Sequence, residues 1–180
     1  MHTIIVRLPE NLITAIEPYR QKLDPLAEKI PPNITLVKPF SYAGSPTDLY
    51  DHLEEVGENQ APIKVSLAGW DVYTQKLHWL SLPLIAGRPE FIALREHLLS
   101  GPLGPLVGKD EHAYRPHIII GRCTNQETLN KAKQLLAGFE AQFIFRATSM
   151  ELLQRDSIDE AWHLEKRFGL EATVTGKQRR

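Results

Sequence analysis

At 180 residues the chain suits one domain, or two small lobes around a shared core. Its 42 % hydrophobic and 24 % charged residues are ordinary for a globular protein in water, and no apolar run approaches membrane-spanning length. A formal net charge of −1 excludes a protein that coats long nucleic acid by bulk attraction, so any polyanion must be met by a local patch.

From the N-terminus, His2 to Leu8 is a β-branched run stopped by Pro9 and predicts a strand. Asn11 reads as the cap of a helix with apolar positions at Leu12, Ile13, Ile16, Leu23 and Leu26, broken or delayed by Pro18 and Pro25. Asn33 to Lys38 is a strand bounded by prolines. Ser45-Pro46-Thr47-Asp48 opens a helix to about Glu58, with its proline early, where a missing N–H costs least. Ile63 to Tyr73 and Leu77 to Leu82 predict a hairpin around Thr74-Gln75-Lys76. Pro89 to Leu99 is a helix, and Ser100 to Lys109 is a loop rich in Gly and Pro. Tyr114 to Gly121 is a strand, and Asn125 to Leu136 a helix ended by Gly138. Phe143 to Leu153 and Ala161 to Phe168 predict a second hairpin around Asp156-Ser157. The domain is assigned to residues 1–170, and 171–180, with Lys177, Arg179 and Arg180, to a flexible basic tail.

Two of these strands look alike. Pro31-Pro32-Asn33-Ile34-Thr35-Leu36 and Arg115-Pro116-His117-Ile118-Ile119-Ile120 each place Pro, a nitrogen-bearing polar residue and a β-branched run, with Asn33 and His117 84 residues apart. A helix and a hairpin follow each, with Trp79 in one hairpin and Trp162 in the other, which predicts a duplicated α+β unit. Alternation puts Asn33 and Thr35 on one face of their strand, and His117 and Ile119 on one face of theirs. Ile34, Leu36, Ile118 and Ile120 then point to the core. Lys38 shares a face with Ile34 and Leu36 by the same alternation and is directed outward at the strand end.

The paired segments, with Gly121-Arg122 after the second, resemble the 2H phosphoesterase superfamily, which includes the bacterial 2′-5′ RNA ligase-like proteins. The resemblance covers roughly residues 2 to 168. It implies an α+β fold of two pseudo-symmetric lobes, each with an antiparallel sheet, flanking a central cleft. It also implies two His-x-Thr/Ser motifs facing each other across that cleft, without a metal or other cofactor. In the intact pattern one imidazole takes a proton from the attacking water or hydroxyl and the other protonates the leaving oxygen. A histidine pKa of about 6.5 suits both tasks. The Thr or Ser hydroxyls hold non-bridging phosphate oxygens. Implied ligands are RNA termini, 2′,3′-cyclic phosphates, 2′-5′ linkages or small nucleotides.

This chain departs from the pattern twice. Asn33 stands for one histidine, and an amide only donates and accepts hydrogen bonds. Losing one positioned proton carrier typically costs about 10²–10⁴ in rate. Ile119 stands for one hydroxyl residue, removing a charge-assisted bond worth roughly 1.5–3 kcal/mol. Thr35 and His117 are retained, diagonally across the cleft, as phosphate holder and proton carrier. The resemblance therefore implies a phosphate-binding cleft with impaired or altered catalysis. A non-catalytic nucleotide-binding module and a structural, partner-binding protein with a vestigial cleft are the competing readings.

Around the motifs, Arg122 could reach a phosphate, and Phe40 and Tyr114 could stack a base. Arg115 reads as surface charge near the cleft mouth. His78 and His163 fall near equivalent hairpin positions, so either could replace the missing histidine. His112 and His117 are not at a recognised metal spacing, and no metal site is assigned. Trp70, Trp79 and Trp162 read as core anchors. Cys123, the one cysteine, excludes an intramolecular disulfide, reads as a small buried residue and suits the cytoplasm. No membrane partner is expected, and a monomer is favoured.

Overall fold

A computed structural model describes residues 1–107 and 113–172. The basic tail beyond 172, the last part of the predicted 100–109 loop and His112 lie outside the described residues. The chain runs β1 (His2–Arg7), α1 (Glu10–Leu23), β2 (Asn33–Phe40), α2 (Pro46–Glu58), β3 (Ile63–Ala68), β4 (Asp71–Thr74) and β5 (His78–Ala86). It continues with α3 (Arg88–Leu99), β6 (His117–Cys123), α4 (Gln126–Leu136), β7 (Gln142–Ala147), β8 (Ser149–Gln154) and β9 (His163–Gly169).

The strands form one antiparallel sheet in the order β7-β3-β5-β6-β2-β1-β8-β9, with β4 added beside β5. The order is symmetric about its centre. Each motif strand, β2 or β6, pairs outward with the strand that precedes it, β1 or β5, and two further strands complete each half. The repeat therefore starts one strand earlier than the sequence suggests, at β1 and at β5.

The halves are also interwoven. Helix α1 joins β1 to β2 yet packs on β6, while α3 joins β5 to β6 and packs on β2. Strand β3 likewise crosses to pair with β5, and β8 returns to pair with β1. One apolar core results, with Ile34 and Ile118 from the motif strands fully buried among Leu12, Ile16, Phe91 and Leu94. Each half thus contributes a helix to the covering of the other's motif strand.

Several expectations are corrected here. Pro9, not Asn11, occupies the N-cap of α1, and the helix runs on through Pro18. Its buried face of Leu12, Ile16 and Arg20 outweighs the lost backbone bond. The helix stops at Leu23 before Pro25, so Leu26 falls outside it and is exposed. The predicted strand from Ile63 to Tyr73 is split at Gly69, whose φ of 69° is left-handed and suits glycine. The run from Phe143 to Leu153 is likewise two strands, in opposite halves of the sheet: β7 pairs with β3, and β8 with β1 and β9. The α4 expectation holds, with Asn125 accepting from the Thr128 N–H at 2.9 Å in a capping box. Past residue 170, Glu171 and Ala172 donate to the carbonyls of Gly57 and Gln60 at 3.1 and 3.2 Å.

Candidate functional site

Strands β2 and β6 meet at the centre of the sheet through the pair Ile34–Ile118. The antiparallel register on either side of that pair sets Asn33 across from Ile119 and Thr35 across from His117. All four lie on the face opposite the helices and are half-buried rather than sealed. The retained pair is therefore directly opposed, not diagonal. One end of the site keeps a hydroxyl and an imidazole, and the other has lost its histidine and its hydroxyl together.

At the retained end His117 is held in one tautomer. Its Nδ1 lies 2.6 Å from the Arg115 carbonyl, which can only accept, so Nδ1 carries the proton and the lone pair sits on Nε2. Nε2 faces the Tyr73 hydroxyl at 3.1 Å, which donates to it. The Tyr73 ring also meets the imidazole edge-on, with centroids 5.4 Å apart. Burial holds the His117 pKa below its ordinary 6.5, and the positive charge of Lys38 pushes the same way against the Arg115 bond. Burial likewise pushes the Tyr73 hydroxyl up, so it stays protonated as a donor.

Lys38 reaches this position through a bulge. In the β1–β2 ladder Ile5 pairs with Thr35 but Ile4 pairs with Val37, skipping Leu36. Leu36 and Val37 are both buried, and the shifted alternation brings Lys38 to the side of Asn33 and Thr35. Strict alternation had assigned it outward. The second motif strand carries the same irregularity, for Ser81 pairs with Ile119 and Leu80 with Gly121, skipping Ile120. Arg122 is thus the counterpart of Lys38.

Arg122 is not presented to a ligand in the way the sequence suggests. It is ion-paired with the buried Asp24 at the end of α1, and its guanidinium lies 5.1 Å from the Trp79 ring centroid. Asp24 also accepts from Arg20 at 3.4 Å. Trp79 in turn stacks on Tyr73 with centroids 5.9 Å apart and planes within 4°. Arg122 thereby supports the ring that addresses His117.

At the other end Asn33 is tied to its own strand. Its Nδ2 donates to the Pro31 carbonyl at 2.8 Å, and its Oδ1 accepts from the Thr35 hydroxyl at 2.9 Å. Tyr114 does not present its ring for stacking. Its hydroxyl donates to the Thr35 carbonyl at 2.8 Å, and Arg95 covers the ring at 4.9 Å. Burial pushes its pKa far above the ordinary phenol value, so the hydroxyl stays protonated as the donor to β2. Phe40 is buried at the far end of β2, in the core, where no base can reach it.

His78 bonds to Thr74 at 2.9 Å and pairs with Cys123, and His163 pairs with Gln154 across from His2, so neither stands beside Asn33, where the histidine is missing. Trp79 and Trp162 are half-buried, the first in the Tyr73 stack and the second under Arg155 at 4.4 Å, rather than core anchors. Cys123 is a buried free thiol, its pKa raised by burial. Among the described residues no group of His, Cys, Asp and Glu could hold a metal ion. Tyr73 was missed because its strand, β4, gives no motif; only its spacing to Trp79 across a turn hinted at a shared face.

The sequence matches the family described as the 2′-5′ RNA ligase superfamily over residues 8–159. A curated relative, the "Putative phosphoesterase" of Bacillus pumilus (strain SAFR-032), is 27 % identical over 105 residues. That match spans 58 % of this chain and 59 % of the relative's length. Solved structures share the fold at 16 % identity. TT0787 of Thermus thermophilus superposes with a TM-score of 0.67, covering 94 % of this chain and 97 % of that one. E. coli LigT complexed with NADP+ gives 0.65, covering 95 % and 98 %. LigT has also been solved with 3′-AMP, with a TM-score of 0.63 and coverage of 94 % and 97 %.

Proposed function

Because the chain belongs to the 2′-5′ RNA ligase superfamily, we propose that the helix-free face of β2 and β6 binds the phosphate of an RNA end, a 2′,3′-cyclic phosphate or a small nucleotide. The observation that carries this reading is the opposition of Thr35 and His117, with Nε2 aimed into the site by the Arg115 carbonyl. The nucleotides held by the LigT structures support the ligand class. Thr35 and protonated His117 hold non-bridging oxygens, and Lys38 adds charge on the same side. The Tyr73 hydroxyl, 3.1 Å from Nε2, adds a second hydroxyl at the His117 end of the site.

Chemistry at this site is metal-independent and slow. Neutral His117 serves as the base toward a water or hydroxyl, with Asn33 opposite Ile119 orienting the ligand rather than moving a proton. Pure binding is the second reading, favoured by the two bonds that fix the Asn33 amide. The single buried cysteine suits a reducing cytoplasm.

The test compares the parent with Asn33→His combined with Ile119→Thr on 2′,3′-cyclic nucleotides and 2′-5′-linked dinucleotides. Restoring one proton carrier should raise turnover by about 10²–10⁴. A folded double variant with no gain, together with a parent that binds no nucleotide at millimolar concentration, would defeat the assignment.

A further inference from the structure

The side of the cleft that lost its histidine carries a second cluster. On β8, the carboxylate of Glu151 is only 1 % exposed yet lies on the ligand face, not in the helix-side core. Register places it there: Thr35 pairs with Ile5, Ile5 with Glu151, and Glu151 with Arg167, so these residues form one row across four strands. Arg7 stands beside Asn33 in the same ladder.

Two guanidinium groups share that one carboxylate. Arg7 Nε donates to Oε2 at 2.9 Å and to Oε1 at 3.1 Å. Arg167 donates to Oε1 through Nη2 at 2.7 Å and Nε at 3.1 Å. A structural ion pair needs one arginine; here a second adds a net positive charge in a chain whose total is −1. The Arg7 and Arg167 side chains are 37 % and 56 % exposed. Among the described residues, Nη1 and Nη2 of Arg7 and Nη1 of Arg167 make no hydrogen bond, which leaves planar guanidinium donors for a ligand.

We propose that Arg7 and Arg167, held by Glu151, form a second anion subsite, and that the ligand is a ribonucleotide with a further phosphate one nucleoside away from the one held at His117 and Thr35. The inference rests on the reading of the central site given above. Thr35 and Glu151 are two strand spacings apart, about 10 Å. A separation of that order suits two phosphates on either side of one nucleoside. The planar forks of arginine suit a terminal phosphate, which a lone surface lysine would hold only as a point charge.

The experiment is calorimetric titration, at low ionic strength, of adenosine 2′,3′-cyclic phosphate and of the same compound bearing a 5′-phosphate. The added phosphate should tighten binding by about tenfold to a hundredfold in the parent. In Arg7→Gln and in Arg167→Gln, both checked for folding by circular dichroism, that ratio should fall toward one. A parent that binds both compounds equally would overturn this subsite while leaving the central site standing. A gain that survives in both variants would do the same and mark the cluster as a cross-strand tie. A parent that binds neither compound would remove the central reading and this one with it.

Discussion

The Tyr73 hydroxyl stands 3.1 Å from Nε2 of His117, the one nitrogen of that ring whose lone pair is free of the backbone. A tyrosine from an added edge strand thereby addresses the proton-accepting atom of a motif 44 residues away. A donor to the neutral imidazole stabilises the neutral form.

Tyr73→Phe keeps the ring and its stack on Trp79 and removes only that donor. The His117 pKa in the free protein should rise toward its ordinary 6.5. Nuclear magnetic resonance of the imidazole across pH reads this directly. A midpoint that stays put or falls would mean that the hydroxyl does not address Nε2 in solution.

Phosphate binding should depend on pH through His117. An anion favours imidazolium, so the bound-state pKa lies above the free-state value, which burial holds below 6.5. Affinity is then flat at high pH, rises as pH falls through the bound-state pKa, and levels off below the free-state one. His117→Ala should flatten the profile and cost about 1.5–3 kcal/mol at its acid end. Titration with a nucleotide monophosphate downward from about pH 7.5, a point above the unperturbed histidine value, checks the sign.

Lys38→Gln should also raise the His117 pKa, because it removes a like charge. Added salt should move the parent in the same direction and the variant less, since screening acts on the charge that the variant lacks. Equal salt responses would place Lys38 too far from the imidazole to matter.

Gly121 answers to packing rather than chemistry. A Cβ there would lie 2.8 Å from Leu23 Cβ and 2.8 Å from Leu80 Cδ1, where α1 crosses β6. Gly121→Val should destabilise by about 1–3 kcal/mol. Urea unfolding should show a lower midpoint with an unchanged slope.

Hydrophobic periodicity and the repeated Pro-polar-β-branched segments were enough to place β2 and β6, all four helices to within a few residues, and the faces of Asn33, Thr35, His117 and Ile119. Those features are local, because alternation and helical spacing are fixed by the backbone of a single element. The partnering of elements was not legible in the same way. Which strand lies beside which, the crossing of α1 and α3 between halves, and the direct opposition of Thr35 and His117 depend on pairing between residues far apart in the chain. The skipping of Leu36 in the β1–β2 ladder then inverted the reading of Lys38, since period-two alternation fails wherever one residue is skipped. Arg122, Phe40 and Tyr114 are neighbours of the motifs in the sequence. Whether each met Asp24, the core or a backbone carbonyl was decided only when the sheet closed around them. Tyr73, Arg7 and Arg167 carry no motif at all, and tertiary pairing alone put the first beside His117 and the other two on Glu151.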